Sequence, residues 1–360
     1  MSDKKEYIEF FEKLWSKNKA MGLAAQAYFE DELNRGRLKK HADKLFHGCW
    51  LISPKGIDSH KFRFCIFVHG KLLKNTSSEI DPRSLLGEKN RPFYAIAEYM
   101  NSAGIGVIYA IPSTDSGEFD FDAMFEKDYS SIKWNLFSYE NEKLVKKDAT
   151  EFFDKWEGTG RPSYRSDKWG DKKIKEAFNK MEEEKLASML LNELFYTGYL
   201  KSVVKKPTND PYDVDGFIIS LSQKHILPIE MKEKFPVLTN RERYFGIDAG
   251  RIMMLLRLCI PNDSNAIYII RQVSENGRKL EAWKFITLSK IIMSSSWNLQ
   301  AGGRGMGGSD TQTVKIPYDE FEDITEKTFE EENLKDISNL PKDVKDVVAT
   351  YRKELRQKFF

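Results

Sequence analysis

Charged residues set inside apolar, strand-forming runs constrain this chain more than anything else in it. Asp213-Val214-Asp215-Gly216-Phe217-Ile218-Ile219 and Ile226-Leu227-Pro228-Ile229-Glu230-Met231-Lys232 are two β-prone runs separated by the turn-rich Leu221-Ser222-Gln223-Lys224. This pattern predicts a hairpin of buried strands. Side chains alternate along a strand, so Glu230 and Lys232 leave one face and Ile229 and Met231 the other. Asp215, at the start of the neighbouring strand, can lie beside the first pair. Burying an ion without partners costs several kcal/mol (roughly, per ion), so charges placed here call for one another or for a ligand.

Two carboxylates and an ammonium converging at a strand end suit a divalent cation and a phosphate. Mg²⁺ prefers oxygen ligands and is held by one or two carboxylates plus water and phosphate oxygens. A metal so held polarises a scissile phosphate and lowers the pKa of bound water, and a nearby lysine orients that water or offsets developing charge. Metal-dependent phosphodiester hydrolysis is the expected chemistry. The plainer alternative is a partly exposed hairpin with ordinary surface charges, in a chain whose residues are 31% charged. The same Glu-x-Lys spacing recurs at Glu183-Glu184-Lys185, but in a charged helical stretch where a solvated face explains it.

The surrounding elements add order. Residues 171–197 read as a helix through Ile174, Phe178, Met181, Leu186, Met189, Leu190 and Leu194, with Gly198-Tyr199 as its stop. Tyr199 to Val204 reads as a first strand and the hairpin supplies two more. Residues 243–259 read as helix, and Ala266 to Ile270 as a short apolar strand. The predicted order is α-β-β-β-α-β.

Asp215 followed by Glu230-Met231-Lys232 within that order resembles the PD-(D/E)xK nuclease superfamily, which includes most type II restriction endonucleases and several repair and recombination nucleases. The resemblance covers about residues 171–275. It implies an αβββαβ core, a mixed central sheet flanked by helices, with a large N-terminal α/β region. It also implies that Asp215 and Glu230 are metal ligands for Mg²⁺, with a backbone carbonyl near Met231 helping, and that Lys232 assists the attacking water. The family often carries a glutamate on the first helix, for which Glu184 is the first choice and Glu193 the second. Val214 stands where the family's proline would precede the aspartate, and Asp213, sharing a face with Asp215, is an alternative ligand.

Composition sets the wider frame. No apolar run approaches the ~20 residues of a membrane span, and the charged start Met1-Ser2-Asp3-Lys4-Lys5-Glu6 is not that of a signal peptide. Three scattered cysteines, Cys49, Cys65 and Cys259, argue against disulfides or a zinc site and fit a reducing cytoplasm. The five histidines form no ligand spacing, and His69 reads as a strand-end residue.

The net charge of +2 says little, so the placement of charge has to speak. Between Trp156 and Lys175, Arg161, Arg165, Lys168, Lys172, Lys173 and Lys175 outnumber the acids and interleave with Trp156, Tyr164 and Trp169. This is either a loop tracking a phosphate backbone or a linker whose aromatics pack back onto the body. Ser294 to Ser309 is glycine-rich and carries Arg304, which reads as a base- or groove-contacting loop or as a plain surface loop. Asp319 to Glu332 is too acidic to face DNA and reads as a solvated helix or covering segment.

Four segments are expected. Residues 1–155 form an N-terminal α/β region with a helix through Phe10, Phe11, Leu14 and Trp15, strands at Phe62 to Val68 and Ile105 to Ile111, and a helix near Tyr94 to Met100 between them. Residues 156–172 form a basic aromatic linker or loop, 173–293 the nuclease core, and 294–360 the glycine-rich loop and acidic helical end. The functional expectation is a cytoplasmic, Mg²⁺-dependent, sequence-specific double-stranded DNA endonuclease of the type II restriction class, leaving 5′-phosphate ends. A homodimer and a cognate methyltransferase are its expected partners. The rivals are a structure-specific repair or recombination nuclease and a DNA-binding module without catalysis.

Overall fold

The computed structural model describes residues 4–54, 64–75, 80–86, 91–154, 156, 169, 172–206, 208, 211–239, 241–275, 278–294, 300–301 and 312–349. The protein is of mixed α/β class, with mixed β-sheet flanked by helices. It divides into two compact units, Met1–Phe29 with His47–Val214, and Glu30–Phe46 with Asp215–Phe360.

The first unit begins with α1 (Lys4–Leu14) and α2 (Lys17–Asn34), whose last residues enter the second unit. Tyr7, Phe10, Phe11 and Leu14 are buried at helical spacing, and Phe11 stacks on Trp15 with ring centroids 4.0 Å apart. Strands β1 (Leu45–Ile52), β2 (Phe64–Val68), β3 (Leu73–Lys74), β4 (Gly106–Thr114), β5 (Lys133–Glu140) and β6 (Lys143–Lys147) form the sheet, with helices α3 (Pro82–Leu86), α4 (Arg91–Ser102), α5 (Phe121–Phe125) and α6 (Ala149–Asp154) in the connections. β1 pairs antiparallel with β2, β2 parallel with β4, and β4, β5 and β6 run antiparallel. The expected strands at Phe62 to Val68 and Ile105 to Ile111 and the helix between them are thus present as β2, β4 and α4. Trp156 and Trp169, from the expected linker, are buried in this unit's core, and Trp169 Nε1 donates to Trp15 O at 3.0 Å.

Two elements depart from expectation here. The helix over 171–197 is split into α7 (Lys172–Asn179) and α8 (Glu183–Glu193). The strand expected at Tyr199 to Val204 does not form: Leu194–Val203 continues α8 as a π-helix, with Val204 N donating to Tyr199 O at 2.9 Å. Tertiary packing overrides β-propensity, since Phe195 meets Trp134 edge-on and Leu194 and Leu200 are buried. Gly198 does not stop the helix. A Cβ there would stand 3.1 Å from the Tyr129 ring, so the glycine serves close packing.

In the second unit, β7 (Tyr212–Ile219, entering from Asp215), β8 (Ile226–Lys234), β9 (Val237–Thr239), β10 (Glu242–Asp248), α9 (Ala249–Cys259), β11 (Ile267–Val273), β12 (Leu280–Thr287), α10 (Leu288–Ser294), β13 (Gln300–Ala301), β14 (Gln312–Pro317), β15 (Glu322–Asp323) and α11 (Glu331–Ser338) follow in order. The predicted hairpin is present: β7 pairs antiparallel with β8, Gly216 against Ile229 through Ile219 against Ile226. Phe217, Ile218, Leu227 and Ile229 are buried in it, each worth about 1.5–3 kcal/mol of apolar burial. β8 pairs parallel with β11, and β12 and β15 extend that sheet. Strands β13-β14-β10-β9 make a second one.

The helix expected over 243–259 is half strand. Glu242–Asp248 is paired with β14 and β9, with Phe245 and Ile247 buried, and Asp248 then caps α9 by accepting from Gly250 N at 2.7 Å. In this unit β7 is flanked by Leu45 and Phe46, so close that a Cβ on Gly216 would lie 3.1 Å from Phe46 O. The acidic stretch holds the basic turn at Lys39–Lys44: Lys40 pairs with Glu330, and Lys44 with Glu331 and the Phe329 carbonyl. None of the three cysteines is in a disulfide, and all three are buried. No helix among the described residues is long and apolar enough to cross a membrane.

Candidate active site

The hairpin brings Asp215, Glu230 and Lys232 together. One step beyond the Gly216–Ile229 pair of the antiparallel register lie Asp215 and Glu230, on one side of the sheet. The Asp215 carboxylate accepts from Met231 N–H at 2.6 Å, which ties the start of β7 to the middle of β8. Lys232, two residues on, projects from the Glu230 face, and its Nζ stands 2.7 Å from Glu230 Oε1. In the parallel register Tyr268 of β11 lies beside Glu230. Asp215, Glu230 and Tyr268 therefore form a row across three strands.

Glu230 is the unusual member. It is 1% exposed; the Lys232 ammonium, 2.7 Å from Oε1, and Arg251 of α9, 3.5 Å from Oε2, pair with it, and among the described residues no other group donates to either oxygen. A buried carboxylate is ordinarily saturated with donors. This one keeps its lone pairs directed at cations only.

The electrostatics around it follow. Burial, then the negative charge of Glu230 and Asp215, push the Tyr268 hydroxyl well above its usual pKa, so it stays protonated and donates to Gly246 O at 3.1 Å. Lys234 donates to the same carbonyl at 2.7 Å. Burial and the neighbouring Lys232 pull the Lys234 ammonium down to about 8, against the opposing pull of Glu230 and Asp248.

Among the described residues, no group of three or more His, Cys, Asp or Glu side chains is placed to hold a metal by itself. Two hard carboxylates, one with few donors, nevertheless fit Mg²⁺, which takes one or two such ligands and completes its shell with water and phosphate. Asp213 precedes Asp215 by two positions on β7 and shares its side of the strand.

Glu184 is exposed in the first turn of α8, in the first unit, and Glu193 is buried there in an ion pair with Lys19. Lys172 is exposed at the start of α7. Arg161, Arg165, Lys168 and Arg304 lie outside the described residues. Sequence reasoning missed Lys234, Asp248, Arg251 and Tyr268. Lys234 was within reach, since it continues the alternation of Glu230 and Lys232. Nothing in the local pattern pointed to Arg251, which comes from another element. Compared with protein-family models, curated proteins and solved structures, the chain gives no match.

Proposed function

We propose that the protein is a Mg²⁺-dependent endonuclease of double-stranded DNA, sequence-specific in the manner of a type II restriction enzyme, with its site on a PD-(D/E)xK-like core. The observation that carries this reading is Glu230: a buried carboxylate whose partners among the described residues are cations, with Asp215 and Lys232 beside it on one side of the sheet. The antiparallel β7–β8 hairpin and the parallel return to β11 through α9 support the core assignment. The helical state of Leu194–Val203 departs from it, because a first strand is missing at that place.

In this reading Asp215 and Glu230 hold the cation, which when bound supplies charge stabilisation at the scissile phosphate. Lys232 orients the attacking water and offsets charge on the non-bridging oxygens. Water oxygen bonds to phosphorus as the bond to the 3′ oxygen breaks, leaving 5′-phosphate and 3′-hydroxyl ends. Met231 N–H fixes the Asp215 carboxylate, and Tyr268 and Lys234 brace the β10 backbone at Gly246 beside the site. A homodimer would match a two-fold DNA site, and a methyltransferase of the same specificity would protect the host's DNA.

The test is incubation of purified protein and Mg²⁺ with long, mixed-sequence phage DNA. Discrete bands, absent with Asp215→Ala while that variant still binds DNA in Ca²⁺, are the expected result. A smear or progressive shortening replaces this reading with a structure- or end-directed nuclease. Intact DNA with retained binding replaces it with a non-catalytic module, and unchanged cutting by Asp215→Ala removes the site assignment.

A further inference from the structure

We infer that the ribbon formed by β9 and β10 is the element that enters a DNA groove beside the site, with Leu238 as an apolar wedge and Arg241 as a phosphate contact. This rests on the nuclease reading above. β8 ends at Lys234, and after Phe235 and Pro236 the chain enters β9, which among the described residues is the edge strand of the second sheet, paired there with β10. Phe235, Val237 and Leu238 are 41%, 40% and 68% exposed. An apolar edge of this kind is an association liability unless something binds it.

Charge and reach favour duplex DNA as the occupant. From Phe235 to Tyr244 the chain carries Arg241 and Arg243 against Glu242. Leu238 lies opposite Arg243 in the register, and Arg243 is extended over the Tyr318 ring at 4.1 Å. Lys315 of β14 adds a further cation, lying over the Tyr244 ring at 4.5 Å. Arg241 is exposed at the tip, in the left-handed region at φ 70°. Apolar residues flanked by basic ones are the equipment of proteins that insert between base steps.

Leu238 is six residues beyond Lys232. At about 3.3 Å per residue that is at most ~20 Å, or about six base-pair steps of ~3.4 Å. The ribbon therefore reaches the base pairs that flank a scissile phosphate held at Lys232. Self-pairing of the edge fits less well. β9 has three residues and follows Pro236, which offers no backbone N–H to a new ladder.

The experiment measures binding of a fluorescent mixed-sequence 30-base-pair duplex in Ca²⁺ across a salt series, with sedimentation of the same samples. Arg241→Gly, which suits the left-handed backbone, is expected to weaken binding about fivefold to tenfold and to make the log–log salt slope shallower by about one. Leu238→Ser is expected to lose at least about fivefold with the slope unchanged. Both are exposed positions, so the melting temperature should be essentially unchanged. Wild-type binding by both variants overturns the inference. So does a dimer-to-monomer shift in Leu238→Ser with DNA affinity intact, which would make the ribbon a protein interface. If the unaltered protein fails to bind duplex at low salt, the nuclease reading itself is overturned. Binding by the unaltered protein that the variants match overturns the ribbon alone.

Discussion

Glu230 and Glu233 stand three residues apart on the same strand, on opposite faces, and are treated in opposite ways. Both side chains are nearly buried, at 1% and 5% exposure, and each is flanked by two cationic groups. Glu233 is saturated: Arg271 donates to Oε2 at 2.6 Å and Arg278 donates to Oε1. Glu230 has one ammonium at 2.7 Å and a looser guanidinium at 3.5 Å, and no second donor on either oxygen among the described residues. A buried charge that is hydrogen-bonded stabilises local geometry, whereas a buried charge left short of donors is held for something else.

The sharpest way to break that contrast is to neutralise each glutamate in turn. Glu230→Gln is expected to lower DNA cleavage by at least about 10²–10³-fold, the cost of one electrostatic group aimed at the reaction, with the urea midpoint unchanged or raised. Glu233→Ala is expected to cost about 3–5 kcal/mol, because it leaves buried guanidinium charge uncompensated, while cleavage per folded molecule is retained. Urea titrations beside single-turnover assays read both effects. Reversal of the two patterns would assign the structural role to Glu230.

A smaller effect concerns the cations at Glu230. Arg251 competes with any metal for Oε2, so Arg251→Gln is expected to tighten Mn²⁺ binding severalfold in calorimetry without DNA. Weaker Mn²⁺ binding would mean that Arg251 organises the carboxylate instead of occupying it.

The smallest effect is one of pH. The ammonium of Lys234 is held at about 8 in the folded protein, below its ordinary 10.5. The unfolded chain therefore binds more protons between those values, and stability rises with pH from about 8 to about 10.5. Lys234→Met is expected to flatten that rise and to raise the melting temperature near neutral pH. An unchanged slope would remove Lys234 from the charged group around Glu230.

The legible parts of this molecule were those governed by local period. The alternation of Ile229, Glu230, Met231 and Lys232 announced both the hairpin and the shared face, because strand geometry leaves a side chain no other choice. The run Ile267 to Ile270 read correctly as a buried strand for the same reason. Tyr199 to Val204 misled because β-branched and aromatic residues suit either a strand or a buried helix, and contacts with Trp134 and Tyr129 decided the matter. Residues 243–248 misled because Asp248, the true helix cap, lay inside the segment read as helix.

By itself, then, the amino-acid order determined which residues of β7 and β8 share a face, and so which carboxylates and lysine can meet. Only the tertiary structure decided that Glu230 is held by one close ammonium and a looser guanidinium while Glu233 takes two guanidinium hydrogen bonds, and that Arg251 and Tyr268 surround the former. Those partners arrive from α9, β11 and the loop at Arg278, whose positions depend on sheet register and a crossover connection. Long-range packing sets these, and no local repeat encodes them.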